Sequence, residues 1–136
     1  MEDLFEELLA FFRRHGHHHI PNIARTRGLY AWAAELREQA ALGELPARLL
    51  RKLEAIDFPF DEAALSWERS FAPVAAVAKR KKSLPPPQTP VGAWIRAQLT
   101  LAELGGLPQV RARRVREVIE AQQETRNDRR RRRRDV

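Results

Sequence analysis

The chain has 136 residues, carries 25 lysines and arginines against 18 aspartates and glutamates for a formal charge of +7, and contains no cysteine. The missing cysteine excludes a disulfide framework, a thiolate zinc site and a cysteine nucleophile. No apolar run approaches the ~20 residues of a membrane-spanning helix, and the acidic start (Glu2, Asp3, Glu6, Glu7) is wrong for a secretory leader. The expectation is a soluble, cytoplasmic protein with no membrane partner.

In chain order, Met1, Phe5, Leu8 and Phe11 or Phe12 trace one face of a first helix. Its acidic start and its end at Arg13, Arg14 and His15 complement the helix dipole. Gly16 stops it, and Pro21 holds the next segment extended. A second helix is expected from about Leu29 to Leu42, with Leu29, Trp32, Ala33, Leu36 and Ala40 facing inward and Gly43 ending it. Pro46 suits the first turn of a third, whose inward face is Leu49 or Leu50, Leu53 and Ile56, before Phe58-Pro59-Phe60 closes the unit.

The series then repeats. Phe71, Val74 and Val77 stand for the first helix, Leu84-Pro85 for Ile20-Pro21, and Val91-Gly92-Ala93-Trp94 for Leu29-Tyr30-Ala31-Trp32. Leu104-Gly105-Gly106-Leu107-Pro108 answers Leu42-Gly43-Glu44-Leu45-Pro46 at the same offset of 62 residues as the two tryptophans. Self-similarity at this period marks a small repeated unit. The expected fold is therefore all-α: two tandem three-helix units, residues 1–62 and 63–126, then an Arg-rich tail, 127–136, expected to be disordered. In the second copy Ser66 is a candidate N-cap, and Pro73 implies a kink or a late start. Pro85-Pro86-Pro87 and Pro90 stiffen its first loop while Gly105-Gly106 loosens its second turn, so this unit is expected to be the less stable.

Charge is unevenly spread: residues 1–66 carry net −3, residues 67–128 net +5 and residues 129–136 net +5. The basic residues of the second copy cluster at Lys79, Arg80, Lys81 and Lys82, with Arg96 on the middle helix and Arg111, Arg113, Arg114 and Arg116 on the last. Such clusters attract phosphates with salt-sensitive, largely sequence-independent affinity; as plain solvated surface they would do nothing. Arg129, Arg130, Arg131, Arg132, Arg133 and Arg134 repel one another and suit a non-specific arm. Arginine outnumbers lysine 21 to 4 overall, which weakens any argument from the choice of arginine.

Other residues support less. His15, His17, His18 and His19 lack the converging geometry of a designed metal site, so no metal and no cofactor is assigned. Trp32 and Trp94 fall on inward stripes, which favours core packing over base stacking. No catalytic triad or phosphate-cradling loop stands out, and no Gly-x-x-x-x-Gly-Lys-Ser/Thr motif occurs, so the chain is read as non-enzymatic, with no helicase motor.

Gly16-His17-x-x-Ile20-Pro21, Leu29-x-x-Trp32, Gly43 to Leu45 and Leu53-x-x-Ile56-x-Phe58 together resemble the bacterial helicase-associated domain. Members of that family are short three-helix units, usually in tandem at the C-terminal end of DEAD/DEAH-type helicases and associated with nucleic-acid binding. The resemblance spans Met1 to about Gln123, with the second copy divergent. Met1 stands where the family usually has a tryptophan, kept as Trp67 in the second copy. Phe58-Pro59-Phe60 replaces a Gly-Phe-x-Trp ending, and Lys82-Ser83 replaces Gly-His. What the resemblance implies is an accessory module whose partners are DNA or RNA and a helicase or other nucleic-acid machine. The alternative is a protein-interaction adaptor whose repeats dock on a partner and whose arginine tail is incidental. Oligomeric state is not legible.

Overall fold

Apolar residues three and four apart become helices along the whole chain. The structure, a computed structural model, describes residues 2–80 and 83–134, with the backbone alone for residues 2 and 125. Its elements are α1 (Glu2–His15), α2 (Arg27–Ala41), α3 (Ala47–Ala55), α4 (Glu62–Lys79), α5 (Pro90–Glu103) and α6 (Gln109–Arg134), and no strand occurs among the described residues. The all-α expectation is met. The chain divides into two compact units, Met1–Ala72 and Pro73–Val136.

In the first unit Leu8, Ile20, Leu29, Trp32, Ala33, Leu36, Leu53 and Phe58 form one apolar core, flanked by Leu4, Phe5, Phe11 and Ile56. Trp32 therefore packs rather than presenting a stacking face. Leu8 and Leu53 are fully buried, each worth about 1.5–3 kcal/mol of transfer free energy. Asp57 turns the chain after α3 at φ 58°, a left-handed conformation that aspartate tolerates better than most residues. The Phe58 N–H then donates to the Leu53 carbonyl at 3.0 Å and sends Phe58 into the core. The first part of α4 also belongs to this unit, where Trp67 stacks on the buried Phe71 with ring centroids 4.7 Å apart.

The second unit buries Val74, Ala75, Ile95, Ala102, Ala112 and Val115. Thr89 caps α5, its hydroxyl accepting the Gly92 N–H at 3.1 Å, and Pro90 occupies the first turn, where its missing N–H costs nothing. A Cβ on Gly92 would lie 1.9 Å from the Pro86 carbonyl oxygen, so only glycine lets the proline-rich loop pass this close to the helix.

The repeated Leu-Gly-x-Leu-Pro turn is the same object in both units. After α2, Gly43 takes φ 70° and the Glu44 N–H reaches back to the Gln39 carbonyl at 2.8 Å. After α5, Gly105 takes φ 76° and the Gly106 N–H reaches the Leu101 carbonyl at 2.7 Å. Both close a helix end by a left-handed glycine that satisfies a terminal carbonyl.

Two sequence expectations are corrected. Ser66 is not the N-cap of α4; the helix starts earlier, where the Asp61 carboxylate accepts the Ala64 N–H at 2.8 Å, and it runs through Pro73. Proline removes one helical N–H donor, but Phe71 before it and Val74 after it are both buried, and their packing outweighs that loss. Of the tail expected to be disordered, the described residues, 127–134, are helical as the end of α6. Arginine is a good helix former, extending an existing helix avoids the nucleation cost, and cations in a last turn complement the dipole.

Candidate nucleic-acid interface

By compact unit the charge asymmetry sharpens: Met1–Ala72 holds 9 basic and 12 acidic residues, net −3, and Pro73–Val136 holds 16 and 6, net +10. In the second unit the loop after α4 is tied to both following helices. The Leu84 N–H donates to the Gln122 side-chain carbonyl at 2.9 Å, Arg129 donates from Nη1 to the Ser83 hydroxyl at 3.2 Å, and Arg96 donates from Nη1 to the Pro85 and Gly92 carbonyls at 3.0 and 2.8 Å. These bonds set Ser83 and Leu84, three and four residues beyond the exposed Arg80, against α6, whose end carries Arg129 and the exposed run Arg130 to Arg134. Lys81 and Lys82, from the same cluster, lie outside the described residues.

The remaining arginines divide. Arg113 is exposed and Arg111 half-buried near the start of α6, and α6 rises about 1.5 Å per residue, which sets Arg113 and Arg129 about 24 Å apart. Arg114 is 7% exposed, and Gln98, Gln122 and Val115 of the same unit are also buried. A side chain this buried offers little surface to a phosphate, so it is left out of the proposed contacting set. Sequence spacing places it beside Arg113, but neighbouring positions on a helix point about 100° apart. Arg96 is half-buried and holds the loop, which makes it a support for the surface more than a contact. Arg116 is likewise engaged, donating from Nη2 to the Ala102 carbonyl at 3.1 Å. Ser83 and Gln122, which fix the loop on α6, carry no sequence signal beyond being polar.

The first unit has a polar loop of its own. His18 is buried; its Nε2 lies 2.7 Å from the Ile56 carbonyl, which can only accept, so the proton is on Nε2. The His18 backbone N–H donates to the Glu68 carboxylate at 2.8 Å, and Glu68 is completely buried on α4. His17, not His18, accepts from the chain: its Nδ1 takes the His19 N–H at 3.0 Å. Burial, and secondly the neighbouring His15, holds the His17 imidazole down to about 4, so it is neutral at physiological pH, as that acceptor role requires. Among the described residues no group of His, Cys, Asp and Glu is arranged to hold a metal ion.

Beside this loop lies a cavity of about 250 Å³, walled by Tyr30, Ala33 and Arg37 from α2, by Glu62, Leu65 and Arg69 from α4, and by His18, His19 and Ile20 from the loop. Each helix supplies positions i, i+3 and i+7, the spacing of a single helical face. Arg37 is half-buried in the fold, and its place on the second helix is legible in the sequence. The matching stripe on α4 is hidden there, because Ser66 offers itself as the start of that helix.

Taken together, the chain is an all-helical module of two small units, one acidic and one strongly basic. Residues 2–61 match the model of the helicase associated domain. The match stops at residue 61 and does not extend to the segment expected from the sequence to be a second copy. Comparison with curated proteins and with solved structures returns no match. Among the described residues no helix is long and apolar enough to cross a membrane.

Proposed function

We propose that the chain is a non-enzymatic nucleic-acid-binding accessory module, in which the second unit contacts backbone phosphates largely without sequence preference and so positions a helicase or another nucleic-acid machine. What supports this reading is the net charge of +10 on the second unit, with the exposed Lys79 and Arg80 a few residues before the Ser83 and Leu84 that hydrogen-bond α6, the helix that carries Arg129 to Arg134. Exposed cations held together on a small folded surface displace condensed counterions when they meet a polyanion, and that release drives binding. The contacting set is Lys79, Arg80, Lys81, Lys82, Arg113 and the arginines of 129–134, with Arg96 and Arg111 at its margin. The acidic first unit supports the module and contributes no net attraction for phosphate.

Reversing Lys79 and Arg80 to glutamate tests this. The expected result is weaker binding of every nucleic-acid sequence alike, with the slope of log affinity against log salt shallower by about 0.9 for each duplex phosphate no longer neutralised. Unchanged affinity and slope would favour the adaptor reading, in which a protein partner binds the helical units and the arginines are incidental.

A further inference from the structure

We infer that the cavity of the first unit receives one unpaired nucleobase, preferring a base with an exocyclic amino group; this rests on the nucleic-acid reading above. The cavity is set between the Tyr30 and Arg37 face of α2 and the Glu62 and Arg69 face of α4, with Leu65 on its apolar wall. At about 250 Å³ it is smaller than the ~300–1,000 Å³ of sites for drug-sized ligands and suits a single planar group.

Its chemistry selects among planar groups. Tyr30 is 39% exposed and stands at the cavity wall beside the partly desolvated Arg37 guanidinium, whose central carbon lies 6.0 Å from the Phe58 ring centroid. Bases taken out of a helix stack on aromatic rings and on guanidinium planes. A phosphate or an acidic side chain fits worse, because Glu62 places a carboxylate in the same cavity and the unit as a whole is net negative. A neutral base turns that carboxylate into a reader: an exocyclic amino group donates to it, while Arg37 and Arg69 donate to ring nitrogens and carbonyls. Thymine presents a carbonyl where the amino group of cytosine would be, and that carbonyl faces Glu62 unfavourably. Among the described residues no hydrogen bond within the protein occupies the Tyr30 hydroxyl, the Glu62 carboxylate or the Arg69 guanidinium, while Tyr30 and Glu62 both interact electrostatically with Arg37 across the cavity wall. The basic second unit then supplies sequence-independent hold on the backbone, and the first unit supplies preference for a strand that has an unpaired base to offer.

The test uses the full chain and three fluorescently labelled strands of equal length and charge: one wholly abasic, one abasic except for a single central deoxycytidine, and one with thymidine there. The expected result is that all three bind, that the deoxycytidine strand binds about tenfold more tightly than the abasic one, within the range that stacking of one base supplies, and that thymidine falls between them. Tyr30→Ala should remove the advantage of a base altogether, and Glu62→Gln should remove the difference between deoxycytidine and thymidine, both leaving affinity for the abasic strand unchanged. Equal binding of the three strands by the unaltered chain overturns the inference and leaves the phosphate-binding reading intact. No binding of the abasic strand overturns the phosphate-binding reading itself. Loss of the deoxycytidine advantage only when Lys79 and Arg80 are reversed, and not with Tyr30→Ala, would place the base outside the cavity and overturn the inference as well.

Discussion

Gly92→Ala is expected to destabilise the second unit by about 2 kcal/mol, although alanine is the better helix former. A new Cβ would meet the Pro86 carbonyl oxygen at 1.9 Å and the Pro85 carbonyl oxygen at 2.5 Å, and both are backbone atoms that cannot rotate away. The loop must move, yet it is held by Thr89 Oγ1 on the Pro86 carbonyl at 2.7 Å, by the Thr89 N–H on the same oxygen at 3.0 Å, and by Arg96 on the Pro85 carbonyl at 3.0 Å. Losing three hydrogen bonds at about 1 kcal/mol each, less about 1 kcal/mol gained in helix propensity, leaves roughly 2 kcal/mol. That sits within the usual range for overpacking, about 1–3 kcal/mol. Thermal melting should show it as a fall of roughly 8–16 °C in the transition of a unit this size. Gly28→Ala is the matched control: it lies near the start of α2, nothing stands within 4 Å of its added Cβ, and it should stabilise the first unit by about 0.5–1 kcal/mol. Equal, favourable effects of the two substitutions would refute the close approach of loop and helix in the second unit.

Acidification should weaken the first unit through His17. Its folded-state value of about 4 lies below the ordinary 6.5, so between those values the unfolded chain binds a proton that the folded chain does not. The stability it contributes is full above pH 6.5 and falls as the pH drops toward 4. Allowing for the solvent screening of a partly exposed ring, the loss is about 1 kcal/mol between pH 6.5 and 5, and melts of His17→Asn should show a flatter profile over that window. Asp61→Ala removes the cap on α4 and should cost about 1 kcal/mol, read as a lower melting temperature, whereas Ser66→Ala should be close to neutral. Hydrogen exchange should find the amides of α5 less protected than those of α2, because the second unit buries Gln98, Arg114 and Gln122 and carries net +10.

The turns are readable from sequence because their chemistry is local. Gly43 and Gly105 stand at helix ends where a left-handed residue is needed, and the repeated Leu-Gly-x-Leu-Pro establishes their equivalence. Trp32 and Leu53 are readable as core because helical spacing places them on an inward face. The start of α4 is ambiguous because Asp61 and Ser66 are both competent caps, and the choice between them depends on where Glu68 and Phe71 pack. Burial of Arg114 follows from the packing of α6, which a charge count along the chain does not register. The basic residues are legible as composition, but the Ser83 and Gln122 bonds that hold the loop after α4 on α6 join residues 46 and 38 positions apart. The cavity beside the histidine loop needs both helices in place and leaves no mark in either segment alone.

The most direct test of the central claim is the affinity for labelled single-stranded and duplex DNA and matching RNA across a series of salt concentrations, for the full chain and for one ending at Asp128. Binding that persists in the shorter chain, weaker and with a shallower salt slope because Arg129 to Arg134 no longer contribute, is the predicted result and places the phosphate-binding surface on the folded second unit. Binding that disappears with those arginines, or that neither chain displays, would contradict it.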